Sequence, residues 1–285
     1  MPEQPDFPPV SRAEWAARAE RDLRGRPLSD LDFTVAGRSF PPLHDAGDLD
    51  PERDYAPLRQ RAGWLIGERI PAGDPAEANR LALAALAGGA NALAFVVDEP
   101  PDPATREQLL RDVITDIVEI TYEPAHSPHG FTTLDELGAQ LRTAAAAGPA
   151  PLLRYHVTTD DHLTVLATHR ALRRAWATLA TAAGHRPPCR LATRVFLDPA
   201  EDMHTNQIRA AARALAAVSG GTDLLYVDPS DGFPGSAFTR RLSRNVQHLL
   251  AEEHRLRDHP DPAAGSYYLE TLTDHLAEQL LKRAQ

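Results

Sequence analysis

The chain has 285 residues, 42% of them hydrophobic and 25% charged, with a formal net charge of −10. That composition is ordinary for a soluble globular protein of one large domain or two small ones, and the acidic balance argues against nucleic acid as the main ligand, because phosphate binding needs a basic surface. Cys189 is the single cysteine, which excludes an internal disulfide and a cysteine-rich zinc site; no apolar run reaches a membrane span and the Met1-Pro2-Glu3 opening is no signal peptide, so a reduced cytoplasm is the expected location and membrane binding is not expected.

Residues 1–10 are Pro-rich and read as a flexible arm. Ser11 and Glu14 have the spacing of a capping box, in which the serine side chain and the glutamate satisfy each other's free backbone amides. Trp15, Ala16, Ala19 and Leu23 follow at helical spacing, and Gly25 is the expected stop. Residues 31–43 are short and extended, ending at Pro41-Pro42. From Gly63 to Ile70 the pattern is strand-like. Asp74 then caps a helix with Pro75 at its first position, where the missing N–H costs nothing, and Gly88-Gly89 ends it. The run Asn91–Val97 is continuously apolar, as expected of a strand covered on both faces. A helix over about 103–113 leads to a strand from Ile117 to Tyr122, and Thr133 with Glu136 opens a helix ending near Gly148.

The second half repeats the rhythm. Leu152–Val157 reads as a strand, followed by a long helix through Arg170, Arg173, Arg174 and Trp176; Arg190–Phe196 is the next strand. His204–Arg209 opens an Ala/Leu helix closed by Gly220-Gly221, and Asp223–Asp228 is another strand. The helix after Ser236 places Leu242, Val246, Leu249 and Leu250 on one face and Arg240, Arg241, Arg244, Glu252 and Glu253 on the other. Strands expected near residues 63, 91, 117, 152, 190 and 223, alternating with helices, imply a parallel sheet with right-handed crossovers.

The wording of the last third is more specific than its periodicity. The stretches from Asn206 to Asp223, from Arg241 to Glu253 and from Asp261 to Leu276 resemble the closing βα units of the methylmalonyl-CoA mutase barrel, and Trp15, Asp22–Gly25 and Pro42-Leu43 stand in the order of that family's small-subunit openings. The resemblance implies a (β/α) TIM-type barrel over residues 61–285 behind an N-terminal arm and helix over 1–60. A closed barrel of this type has eight units, whereas this chain passes from a third-strand-like segment directly to a helix like that of the fifth unit at 122–135, so the barrel is expected to be incomplete or shortened. By resemblance, the function is that of a non-catalytic small-subunit-like component of an adenosylcobalamin-dependent mutase interconverting methylmalonyl-CoA and succinyl-CoA. Its partner would be a large subunit that holds the cofactor, in a heterodimer. Two other readings remain: an acyl-CoA-binding barrel working with a separate cobalamin-binding chain, and a stand-alone binding pseudoenzyme.

No catalytic residue transfers by motif. The family's first-strand tyrosine has no counterpart in Trp64–Arg69, and its Gly-Tyr-His strand falls in the shortened region. Tyr155-His156 imitates the latter on a strand with different neighbours, and His156 reads more readily as a polar barrel-lining residue than as a catalytic one. The cobalt-ligating Asp-x-His-x-x-Gly pattern has its one near match at Asp160-Asp161-His162, without the glycine and at a helix start, and the sequence ends at Gln285 with no further domain's length after the barrel; cobalamin binding by this chain alone is not expected. The histidine pairs 126/129, 162/169 and 254/259 lack zinc-site spacing, and His126 and His129 read as solvated loop residues. Candidate substrate contacts are His156, Asn206, Arg209, Arg244, Asn245 and Gln247. For Asn206, Arg209, Asn245 and Gln247, capping and loop anchoring are equally good explanations. For Arg240, Arg241 and Arg244, a solvated helix face is an alternative to an anion or CoA contact.

Overall fold

A computed structural model describes residues 10–59, 62–125, 131–148, 151–184 and 189–285. The Pro-rich opening and the His126/His129 loop therefore lie outside the described residues. The chain divides into two compact units, Met1–Asp48 and Leu49–Gln285.

In the first unit, α1 (Arg12–Asp22) begins with the expected capping box, the Glu14 amide donating to Ser11 Oγ and the Ser11 amide to Glu14 Oε2 at 2.8 Å. The extended stretch is a small antiparallel hairpin of β1 (Phe33–Val35) and β2 (Arg38–Phe40), closed through a left-handed Ala36-Gly37 turn.

The second unit is built on six parallel strands: β3 (Leu65–Pro71), β4 (Ala92–Val97), β5 (Glu119–Pro124), β6 (Leu152–Val157), β7 (Arg190–Val195) and β8 (Leu224–Val227). Their order is β5-β4-β3-β8-β7-β6. The last strand thus lies beside the first, and each successive pair of neighbours steps the same way around the sheet. Right-handed crossovers with one direction of step put the connecting helices on a single side, as in a barrel and unlike a doubly wound sheet. These helices are α2 (Pro75–Ala87), α3 (Pro103–Leu109), α4 (Leu134–Ala147), α5 (His162–Ala182), α6 (Met203–Ser219) and α7 (Ala237–His248), followed by a π-turn segment and α8 (Tyr267–Ala284), which lies against α4 and α5. The expected helix after residue 103 stops at Leu109, and the strand after it starts at Glu119, leaving Ile117 exposed.

The sheet is curled into a half-barrel. Its two ends, β5 and β6, share no backbone ladder among the described residues, yet they approach across the lumen: Arg154 Nη1 on β6 donates to Glu123 Oε1 on β5 at 2.9 Å, and Arg190 Nη1 on β7 to Glu119 Oε1 at 3.1 Å. The seam is therefore spanned by ion pairs where further strands would carry peptide hydrogen bonds. The expectation of a shortened TIM-type barrel is met.

The outward edge of β6 is closed in an unusual way. In its pairing with β7 the odd-numbered residues face the partner strand, so the peptide groups of Arg154 and His156 face outward. The Gln140 side chain from α4 accepts from Arg154 N at 2.6 Å and donates to Arg154 O at 2.8 Å, while His156 N donates to Phe131 O at 3.0 Å. β5 ends instead on Pro124, whose nitrogen has no hydrogen to leave unpaired.

Candidate functional site

Alternation along each strand decides what enters the lumen. Ile66, Ile70, Leu93 and Phe95 point outward to the helices, and so do Val195, Leu225 and Val227. The inward set at the carboxyl ends of the strands is Arg69, Glu123, Arg154, His156, Arg194 and Asp228, at the end of an α/β barrel where sites are built. All of them except His156 form one continuous chain of ion pairs. Arg154 reaches Glu123; Arg69 Nε donates to Glu123 Oε2 at 3.0 Å and its Nη1 to Asp228 Oδ1 at 3.1 Å; Arg194 holds Asp228 with Nε at 3.0 Å and Nη2 at 2.8 Å. Phe233, from the loop after β8, covers Arg69 with 4.4 Å between guanidinium carbon and ring centre, and Phe131 meets His156 edge-on at 6.0 Å. Burial, reinforced by the Arg194 and Arg69 charges, holds the His156 imidazole down at about 4, so it is neutral near pH 7.

Beneath this layer the lumen is filled. Ala92, Ala94, Ala192, Leu224 and Tyr226 form a buried cluster flanked by Leu65 and Leu152. The Tyr226 ring lies over β3 at Gly67, where any Cβ would collide with the ring and with the Leu225 carbonyl. Burial pushes the Tyr226 hydroxyl up to about 12, so it stays protonated.

The sequence-derived candidates fall in different places. His156 alone lies in the lumen. Asn206, fully buried on α6, donates from Nδ2 to Asp198 O at 2.8 Å and Ser230 O at 3.1 Å, tying the loop after β7 to the loop after β8. Arg209 lines an open cleft outside the lumen with Thr158, Thr159, Asp198 and Glu201, and pairs with Asp160 at 3.2 Å and Glu201 at 3.3 Å. Arg244 and Gln247 lie between α7 and the outer face of β3: Arg244 pairs with Glu68, and Gln247 Nε2 donates to Gly67 O at 3.2 Å. Asn245 is exposed on α7. Arg240, read as belonging to a solvated face, is buried and grips the same Glu68, its Nε donating to Oε1 at 2.6 Å. The two arginines are thus a helix-to-sheet clamp, because Glu68 projects outward from β3 and needs both charges there.

The lumen arginines were missed. Their signal was present, since Arg69, Arg154 and Arg194 each interrupt an apolar strand at an inward position, and charges placed so within three buried strands mark a polar lumen.

The one near match to a cobalt-ligating pattern is Asp160-Asp161-His162. Asp160 accepts from Arg213 Nε at 2.7 Å, and Asp161 caps α5, accepting from Thr164 N at 3.1 Å. His162 is the first residue of that helix. Both acids are committed to structure, and among the described residues no cluster of three or more His, Cys, Asp or Glu side chains could hold a metal ion. The group does not fit here.

Comparison with known proteins agrees with this architecture. The family described as Methylmalonyl-CoA mutase matches residues 149–285, which hold β6, β7, β8 and their helices. A protein of Mycobacterium tuberculosis named "Probable methylmalonyl-CoA mutase small subunit" is 38% identical over 137 residues, covering 44% of this chain and 22% of its own length. The methylmalonyl-CoA mutase small subunit of Streptomyces virginiae is 39% identical over 132 residues, 44% of this chain and 21% of its own. That of Porphyromonas gingivalis is 24% identical over 386 aligned residues, 97% of this chain and 62% of its own. The chain therefore spans about a fifth of the first two relatives, and the third alignment, longer than these 285 residues, includes segments that this chain lacks. The closing strands stand in barrel order, and it is this stretch, residues 149–285, that matches the methylmalonyl-CoA mutase family.

Proposed function

We propose that this protein is a small-subunit-like component of an adenosylcobalamin-dependent methylmalonyl-CoA mutase, non-catalytic by itself and supporting a large subunit that holds cofactor and substrate. The observation that carries this reading is the occupied lumen. Where a barrel enzyme keeps space for its substrate, Arg69, Glu123, Arg154, Arg194 and Asp228 are joined in ion pairs, and Tyr226 fills the level below. An acyl-CoA would have to break buried ion pairs to enter, and removing one partner of such a pair costs about 3–5 kcal/mol. The cytoplasm fits this reading, and among the described residues no helix is long and apolar enough to cross a membrane.

Two measurements test the proposal. The purified chain, titrated with adenosylcobalamin and separately with methylmalonyl-CoA, should bind neither at micromolar concentration. Tight binding of the CoA ester alone would instead favour an acyl-CoA-binding barrel served by another cobalamin chain. Co-expressed with a mutase large subunit, the chain should co-elute with it on size-exclusion chromatography. Trp15, half-buried on α1, is the proposed aromatic anchor; with Trp15 at the interface, Trp15→Ala should weaken association by about 2 kcal/mol or more. Separate elution of the two chains, with the large chain's activity unchanged, would end the partnership reading.

A further inference from the structure

The neighbouring helices α6 and α7 turn one face to the sheet, where Ala210, Ala214 and Ala217 of α6 and Val246 of α7 join the core with Val195, Leu225 and Val227. Their opposite faces are apolar as well. Ile208 (73% exposed) and Leu215 stand on α6, Phe238 (53% exposed) on α7, and Leu249 on the turn that continues α7. No other pair of adjacent elements among the described residues exposes as many large apolar side chains. On α6 the exposed residues Ile208, Ala211, Ala212 and Leu215 follow at spacings of three, one and three, the stripe along which one helix packs on another. A solvated helix carries polar residues there. The exposed face of α7 adds two unmatched charges. Near its start, Arg241 meets only the Phe238 ring, 5.6 Å from guanidinium carbon to ring centre, and Glu253, where the turn ends, has no partner among the described residues.

We propose that this face binds the same face of a second copy of the chain across a two-fold axis, each helix antiparallel to its counterpart. On α6 the axis passes between Ala211 and Ala212, which sets Ile208 against Leu215 of the second copy. On α7 it passes at the level of Gln247, which sets Arg241 against Glu253 of the second copy. At a rise of 1.5 Å per residue these two points lie about 13 Å and about 15 Å from the starts of their helices, and both helices start at the carboxyl end of the sheet. The apolar stripe and the charge pair thus call for one axis, and a patch that complements itself closes into a dimer without further growth. Contact removes the four large apolar side chains from water in both copies. The charges set the direction, because a parallel arrangement would bring Arg241 against Arg241. The face uses no residue of the first unit, so this association is distinct from the one proposed for Trp15.

Sedimentation equilibrium of the full chain alone tests the proposal, and a dimer is expected at micromolar concentration. Ile208→Glu, at a position exposed in the single chain, should leave the far-UV circular dichroism unchanged and weaken dimerisation roughly tenfold or more, by burying an unpaired charge. Arg241→Glu and Glu253→Arg should each weaken dimerisation, and the chain carrying both should recover it, a rescue that the antiparallel register alone supplies. A chain still monomeric at about 100 μM, a dimer indifferent to Ile208→Glu, or no recovery in the double variant would overturn it. A chain that is monomeric alone but loses co-elution with a mutase large subunit in Ile208→Glu would overturn it too, assigning this face to the large subunit and leaving the partnership reading intact.

Discussion

The two sides of the half-barrel are held to their helices by different forces. On the β4–β5 side, Ile70, Leu93 and Phe95 meet Ala78, Ala82, Ala85 and Leu109 of α2 and α3 in a wholly apolar contact. On the β6–β7 side, apolar packing around Trp176 is joined by buried arginines. Arg170 of α5, 1% exposed, lies between Asp261 and Glu270; Arg174 reaches Glu270 and Asp274; Arg173 and Arg59 converge on Asp223. The apolar side gains by area removed from water, wherever the atoms fall. The ionic side gains little net energy over an apolar equivalent, because desolvation offsets attraction, but it tolerates no missing partner. One side can therefore be repacked, while the other fixes which residue meets which.

The largest expected effect is on the ionic side. Arg170→Met leaves Asp261 without its arginine and Glu270 with Arg174 alone, and should cost about 3–5 kcal/mol in urea unfolding; a loss below 1 kcal/mol would erase the contrast between the sides. Leu93→Ala on the apolar side should cost about 2–5 kcal/mol, according to how far the alanine-rich helices close over the cavity. Combining Leu93→Ala with Arg170→Met should give additive losses, since the two clusters share no residue.

Acid separates the sides further. Burial holds His169 and His156 at about 4, while the unfolded imidazole titrates near 6.5. Between these values the unfolded chain binds protons that the folded one does not, so stability is full above about 6.5 and falls as pH drops toward 4. Both histidines lie on the β6–β7 side, and His156→Gln should flatten that part of the stability–pH curve; an unchanged slope would remove His156 from the account.

Smaller effects are expected at α4. Gln140→Ala uncovers the Arg154 peptide at the β6 edge and should cost about 1–3 kcal/mol. Glu136 is raised by partial burial, but amide and hydroxyl donors from Thr133 and Thr132 outweigh that and hold it at about 2. Its folded value lies below its unfolded one, so its contribution is present above about 4.5 and is lost as pH falls toward 2. Glu136→Gln should remove that acid dependence and cost at most part of the roughly 0.5–2 kcal/mol that a helix cap supplies.

The same contrast governs what could be read from the sequence. The six strands and the caps at Ser11, Asp74 and Thr133 were legible because apolar runs and local hydrogen bonds are written in neighbouring residues. The shortened barrel was legible in the passage from Tyr122 to Thr133 without an intervening strand pattern. The buried arginines were not. Arg240 has the same helical position whether it faces water or Glu68, and its partner stands 172 residues away. His156 reached the lumen as a lining residue, but Arg69 and Arg194 beside it were passed over: the sequence marks each as a charge within an apolar strand, while the partner it meets across the lumen is not written in its neighbours.

Gln140 carries one further consequence. A primary amide offers a donor and an acceptor in nearly the arrangement of a peptide group, and Gln140 presents them to Arg154 from the side of a helix. The edge of β6 is thus protected by a plug that a single rotamer change withdraws, with the rest of α4 left in place. A strand arriving from another chain would exchange one amide for another at that peptide, and the seam would lengthen into a ladder. At the Arg154 peptide the protection against unwanted strand pairing is reversible, and its strength is set by one side chain.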